Sequence, residues 1–307
     1  MLNKTLSQND LIEKIFKDTN LKTKTITFQV TEDCCLQCSY CYQGNKTKNK
    51  MNFETAKKFI DDIFQNKDNE NAFISIHSTC GIIIEFIGGE PLLEVDLIEQ
   101  IIDYFELKFN EYPDLLWSIH HSYFMTSNGV LYFDKKVQHL LKKYKELLHI
   151  TITVDGCKES HDMCRVFSNG EGSYDIAFSA AKDALTKFGI NETKITLSPN
   201  NISYLFDSVT TMITEGFSHI SANFIHEEGW TFNDAQICYN ELIKIGNWII
   251  ENNLYNHCYF SLLDYTQVLP KDEIKNWCGS NNSMIAINYK GELFPCIRFM
   301  DSSLNFD

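Results

Sequence analysis

Glycine and proline are scarce in this 307-residue chain, 14 and 5 respectively, too few for a collagen-like or low-complexity protein. Long apolar runs are missing too. The greasiest stretch, 81–87, is broken by Glu85 and falls far short of the ~20 residues a membrane helix requires, so no membrane partner is expected. The first 17 residues interleave Lys, Glu and Asp with Leu and Ile, without the apolar core of a signal peptide. Basic charge is in deficit: 27 Lys and Arg against 41 Asp and Glu leave a net −14. A protein that displaces counterions from phosphates carries a basic surface, so no nucleic-acid partner is expected either. The expectation is a cytoplasmic protein. Its 44% hydrophobic content is enough for one large α/β domain or two smaller ones.

Cysteine is in surplus. The 11 cysteines stand at 34, 35, 38, 41, 80, 157, 164, 238, 258, 278 and 296. An odd number without an export signal argues against a disulfide framework. Four of them fall within eight residues, 34–41, which makes metal chemistry the first reading to test.

Along the chain, β-branched or alternating stretches at 25–31, 82–87, 119–126, 149–154, 194–197 and 220–225 predict strands. Helical spacing is present at 52–64, 95–109, 137–144, 174–188 and 235–250, with a further helix over 203–215. Six strands alternating with helices predict parallel pairing with right-handed crossovers. Chemistry in such folds gathers at the C-terminal ends of the strands. The cysteine loop, Gly88-Gly89-Glu90-Pro91, Ser127-Asn128 and Asp155-Gly156 each follow a strand, so they point to one site.

The loop reads Cys34-Cys35-Leu36-Gln37-Cys38-Ser39-Tyr40-Cys41. Cys34, Cys38 and Cys41 give C-x3-C-x2-C; Cys35, Cys38 and Cys41 give C-x2-C-x2-C. The second spacing is that of a bacterial ferredoxin run, but position 45, where the fourth Cys would fall, is Asn. A structural zinc site, with Cys35 or a distant Cys as its fourth ligand, is the alternative. Inert buried thiols fit poorly in a loop flanked by Glu32, Asp33 and Gln43. Three thiolates can hold a cubane iron–sulfur cluster by three irons and leave the fourth open.

C-x3-C-x2-C with an aromatic residue, Tyr40, before the last Cys resembles the loop of the radical S-adenosylmethionine (SAM) superfamily. The resemblance implies a SAM-binding 4Fe–4S cluster on Cys34, Cys38 and Cys41, with Tyr40 beside SAM. Gly88-Gly89-Glu90-Pro91 is similar to the family's GGEP element, which holds the amino group of SAM; an ordinary tight turn before a helix is the plain alternative. Glycines let a ligand approach the backbone, and a carboxylate pairs with an ammonium. Thr153-Val154-Asp155-Gly156, His161 and Arg165 resemble the family's S-x-D-G…H-x3-R segment. There Thr153 replaces the SAM-touching Ser, and Arg165 stands where an Arg pairs with the SAM carboxylate; its planar fork suits that role. Ser127 and Asn128 are expected to line the ligand.

Cys278 and Cys296, with 12 residues between Cys278 and Gly291 and four between Gly291 and Cys296, resemble the opening of a SPASM domain, the auxiliary-cluster module of radical SAM maturases. Two unrelated thiols bordering a hairpin are the alternative. The fold this implies is a partial (β/α)6 TIM-like barrel with a truncated C-terminal SPASM region. It divides into a lead-in over 1–24, a core barrel over 25–255, and a linker with the start of SPASM over 256–307. The implied enzyme, an oxidoreductase and peptide maturase, cleaves SAM reductively to a 5′-deoxyadenosyl radical and modifies a peptide or protein substrate, for instance by thioether formation on a ribosomally made Cys-containing peptide. A ferredoxin- or flavodoxin-type donor would supply electrons. Formylglycine formation on sulfatases is the enzymatic rival, and a zinc- or cluster-binding interaction module the non-enzymatic one. No residue is singled out as a catalytic base. The other five cysteines have no ligand spacing, and most of them are expected to be small buried hydrophobes.

Cys278 and Cys296 supply two thiolates where an auxiliary cluster commonly takes four. The expectation is therefore that the natural reading frame continues beyond Asp307 and encodes at least one more cysteine cluster. Sequencing past that codon checks it: a stop directly after Asp307 would remove the expectation of a fragment.

Overall fold

The computed structural model describes residues 21–44, 46–226, 229–264, 280 and 282–300. In chain order these form β1 (Lys22–Thr31), α1 (Phe53–Gln65), β2 (Thr79–Gly88), α2 (Val95–Glu111), α3 (Leu116–Ile119), β3 (His121–Ser127), α4 (Lys135–Lys143), β4 (Leu148–Ile152), α5 (Lys158–Cys164), α6 (Tyr174–Phe188), β5 (Glu192–Leu197), α7 (Leu205–Thr214), β6 (His219–Phe224), α8 (Phe232–Glu251), β7 (Tyr259–Phe260), β8 (Met284–Ile287) and β9 (Leu293–Phe294).

Strand alternation sorts β1 into two faces. Ile26, Phe28 and Val30 are fully buried on the helix side, where Phe28 meets Phe59 of α1 and Phe105 of α2 edge-on. Thr27 and Gln29 lie on the opposite, inner face. Helix α1 begins where the Asn52 side chain accepts the Thr55 N–H, and its Ala56, Ile60 and Ile63 stripe is buried against the sheet as the periodicity predicts.

Strands β1 to β4 pair parallel in sequence order, as do β5 to β7. One parallel bridge, Thr153 to Lys194, joins the end of β4 to β5. Strands β1 to β6 thus run in order round an open arc, the expected partial barrel, with helices outside and every strand end of interest on one side. The expected hairpin around Gly291 is present, and Gly291 takes the positive φ (+89°) its turn needs. Its first strand, β8, adds parallel to the free edge of β1, so the C-terminal segment extends the main sheet instead of leaving it.

One local reading differs, and one helix has no counterpart in the sequence reading. The strand read over 119–126 starts at His121, because the residues before it form α3, anchored by the fully buried Trp117. Helix α5 carries no apolar stripe; it buries Ser160, His161 and Cys164 instead, which only a hydrogen-bonded setting permits. Among the described residues no helix is long and apolar enough to cross a membrane.

Truncating Phe28 to Ala removes the ring shared by two helices. Loss of about 3–5 kcal/mol of unfolding free energy is expected, read from urea titration of the variant against the parent; a loss below about 1 kcal/mol would mean that the ring is not a core contact.

Candidate active site

The cysteine loop leaves β1 and is pinned from two sides. Its Gln37 and Ser39 N–H groups donate to the carbonyls of Val166 (2.7 Å) and Cys164 (2.9 Å), so the loop is bound to the segment that carries Arg165. On the other side, the Gly89 and Glu90 N–H groups donate to the Thr31 and Asp33 carbonyls at 3.1 and 2.8 Å. Cys34, Cys35, Cys38 and Cys41 are all free thiols, partly exposed. Among the described residues no three His, Cys, Asp or Glu side chains converge to hold a single metal ion. A hydrogen bond between the adjacent thiols lowers the pKa of Cys34 and raises that of Cys35.

The glycines at the end of β2 have a different reason from the one the sequence suggests. A Cβ on Gly88 would stand 2.4 Å from the Thr31 carbonyl oxygen, and one on Gly89 2.3 Å from that of Asp33 and 2.8 Å from the Cys34 Cβ. They are glycines so that the end of β2 can lie against the backbone of the cysteine loop. Glu90 follows, 1% exposed. Its Oε1 accepts from Leu92 N–H (3.0 Å) and Ser127 Oγ (2.8 Å), and its Oε2 from Asn128 N–H (2.8 Å). The Asn128 amide in turn donates to Cys35 Sγ (3.2 Å) and Cys34 Sγ (3.7 Å). One carboxylate thereby links the ends of β2 and β3 to the thiols.

A second network closes the far side. Tyr40 donates to Asp155 Oδ2, and Arg165 Nη1 donates to the Tyr40 hydroxyl at 3.0 Å. Asp155 Oδ1 accepts the Thr196 N–H of β5 (2.9 Å). Arg165 is 8% exposed, and its Nε has no partner among the described residues, which leaves a buried cationic donor on a side chain bonded to Tyr40 of the loop. His161, fully buried, accepts the Asp155 N–H on Nδ1 (3.2 Å). Its Nε2 must then carry the proton and donate to Ser173 Oγ (3.0 Å), which donates to the Arg165 carbonyl (2.9 Å). Burial pushes His161 down to about 2, so it stays neutral and its donor direction is fixed. The sequence reading names Asp155 and His161 within a motif but gives them no place in the site; Ser173 it misses, since nothing local distinguishes that serine.

Thr153 is buried at the β4–β5 bridge, its N–H on the Ser127 carbonyl (2.9 Å). The inner face below the site is polar: Thr27 donates to Glu85 Oε2 (2.7 Å), and burial raises the pKa of Glu85 and lowers that of Lys194. Strand alternation of polar residues was the available signal for this lining. Cys278 lies outside the described residues. Cys296 is partly exposed, and two residues later the Arg298 guanidinium stacks over Tyr42, 5.3 Å from its ring centre, so the C-terminal segment reaches the cysteine loop. Of the remaining cysteines, Cys80, Cys157 and Cys164 are buried as expected, while Cys238 and Cys258 are partly exposed.

Burial pushes Glu90 up to about 7 from an ordinary 4.5. An acid raised in the folded state stabilises the fold most below its unfolded pKa, and that contribution is lost as pH rises through the folded value. Melting temperature should therefore fall between about pH 4.5 and 7, and Glu90→Gln should flatten this slope in scanning calorimetry. An unchanged slope would show that Glu90 titrates normally.

Residues 28–202 match the Radical SAM superfamily. An uncharacterized protein of Methanocaldococcus jannaschii is 29% identical over 282 residues, covering 89% of this chain and 84% of its own. Among solved structures, native anSMEcpe with bound AdoMet superposes with a TM-score of 0.68 at 16% identity, over 91% of this chain and 76% of that one. SuiB of Streptococcus suis, bound to the precursor peptide SuiA, gives 0.58 at 14% identity, over 97% of this chain and 65% of that one. At such identities the likeness is one of fold. The family match spans more than half of the chain, on an arc of strands that carries its thiol loop at the C-terminal end, and the protein belongs to the radical SAM superfamily.

Proposed function

We propose that the protein binds a 4Fe–4S cluster through Cys34, Cys38 and Cys41, binds SAM against it, and modifies a peptide or protein substrate. The observation that carries this reading is the buried Arg165 beside the cysteine loop, whose Nε lacks a partner among the described residues. A buried guanidinium with a free donor fits a carboxylate, and SAM carries one. Held by Cys34, Cys38 and Cys41, the cluster would supply the electron for reductive cleavage of SAM to methionine and a hydrogen-abstracting 5′-deoxyadenosyl radical.

The chain's own residues hold and orient. Tyr40 and Asp155 fix one side of the Arg165 fork, and the His161–Ser173 pair holds its backbone. Glu90 faces the amino end of SAM, with Ser127 and Asn128 as lining; three donors from its own chain already aim its carboxylate. Gly88 and Gly89 seat that carboxylate by close packing, and Thr153 offers a hydroxyl at the β4 end. Electrons would come from a ferredoxin- or flavodoxin-type donor. Cys296 beside the loop, together with Cys278, supports a SPASM-like auxiliary cluster site and hence a maturase. Thioether formation on a Cys-containing peptide is the favoured reaction, with formylglycine formation the second.

Anaerobically reconstituted protein given dithionite and SAM should release 5′-deoxyadenosine. Arg165→Ala should weaken SAM binding by roughly 2–5 kcal/mol, the cost of leaving a buried charge partner unpaired, measured by calorimetric titration. Unchanged affinity would remove Arg165 from the site, and absence of 5′-deoxyadenosine from the parent protein would overturn the enzymatic reading.

A further inference from the structure

We infer that Cys34 and Cys35 are interchangeable as the first thiolate of the cluster loop, so that the site contains a spare ligand. The inference rests on the radical SAM reading above. Adjacent side chains of an extended chain point to opposite sides, and two neighbouring cysteines would ordinarily present one thiol and hide the other. Here the chain bends at Cys35, and one amide group meets both sulfurs: Asn128 Nδ2 lies 3.2 Å from Cys35 Sγ and 3.7 Å from Cys34 Sγ. That amide is itself fixed. Its residue's N–H is held by Glu90 (2.8 Å), and its Oδ1 accepts the Val130 N–H (2.9 Å). Both sulfurs therefore lie within hydrogen-bond reach of one fixed donor.

Both spacings are workable. Cys38 and Cys41 are common to the two sets, and C-x2-C-x2-C is a spacing from which iron–sulfur clusters are held. The Cys34 N–H is on Asp33 Oδ1 (2.9 Å), and its sulfur accepts the Leu36 N–H at a long 3.4 Å, a weak contact that a turn of the side chain gives up. Exchange is a ligand substitution. One iron–sulfur bond forms as the other breaks, the proton passes from the incoming thiol to the departing thiolate, and no electron is transferred. A released Cys34 sulfur keeps the Asn128 amide (3.7 Å) and the Leu36 N–H (3.4 Å) as donors, and a released Cys35 keeps both the N–H and the carbonyl of that amide.

The test is anaerobic reconstitution of the whole chain with iron and sulfide, in parallel for the parent, Cys34→Ala, Cys35→Ala, Cys34→Ala/Cys35→Ala and the baseline variant Cys38→Ala/Cys41→Ala. Circular dichroism confirms folding in each. Bound iron and the electron paramagnetic resonance signal of the reduced protein are read, so no turnover is needed. Each single variant should keep at least half of the parent's loop-bound iron, and the Cys34/Cys35 double variant should fall to the baseline. Loss of the cluster in either single variant, or its retention in the double variant, overturns the interchange while leaving the radical SAM reading in place. A parent that takes up no more iron than the baseline overturns both.

Discussion

The site depends on a carboxylate taken out of water. Glu90 is 1% exposed, and a buried carboxylate without partners is costly enough that the fold must surround it with donors. Three are supplied, from the turn after β2 and from the end of β3. Because these donors come from separate strands, Glu90 fixes the spacing between strand ends, and the Asn128 amide extends that control to the thiols. The glycines before it serve the same end by letting β2 lie against the cysteine loop.

Across the site, a second set of polar groups is buried on the same terms. Arg165, Tyr40, Asp155 and His161 satisfy one another in a chain whose donor directions are set by groups that cannot reverse: a backbone N–H at one end and a backbone carbonyl at the other. Such networks are stable only when nearly every member is paired. Among the described members of this network Arg165 Nε is left without a partner, and there a ligand's acceptor has most to contribute. Helix α5 exists for this network, which explains why it has no apolar stripe: its buried face is hydrogen-bonded, not greasy.

Much of this was legible along the chain. The strands β1 to β6 showed as apolar or alternating runs because each is covered by helices on one face, and the cysteine loop and Gly88-Gly89-Glu90 are local in sequence. Helix α5 and Ser173 were not legible, since their burial is compensated by partners elsewhere in the chain. The hairpin of β8 and β9 was readable from its turn, but not its attachment to β1, because a four-residue strand does not say which edge it will find.

By itself, the sequence determined the β/α order and which residue types stand at the strand ends, since periodicity and short motifs depend only on neighbours in the chain. Tertiary structure alone decided that Glu90 bonds across to β3, that Arg165 meets Tyr40, and that Asn128 touches both Cys34 and Cys35. Those pairings join residues about 40 to 125 positions apart, and hydrogen bonds act over about 3 Å. Only packing the strands side by side brings such groups within reach.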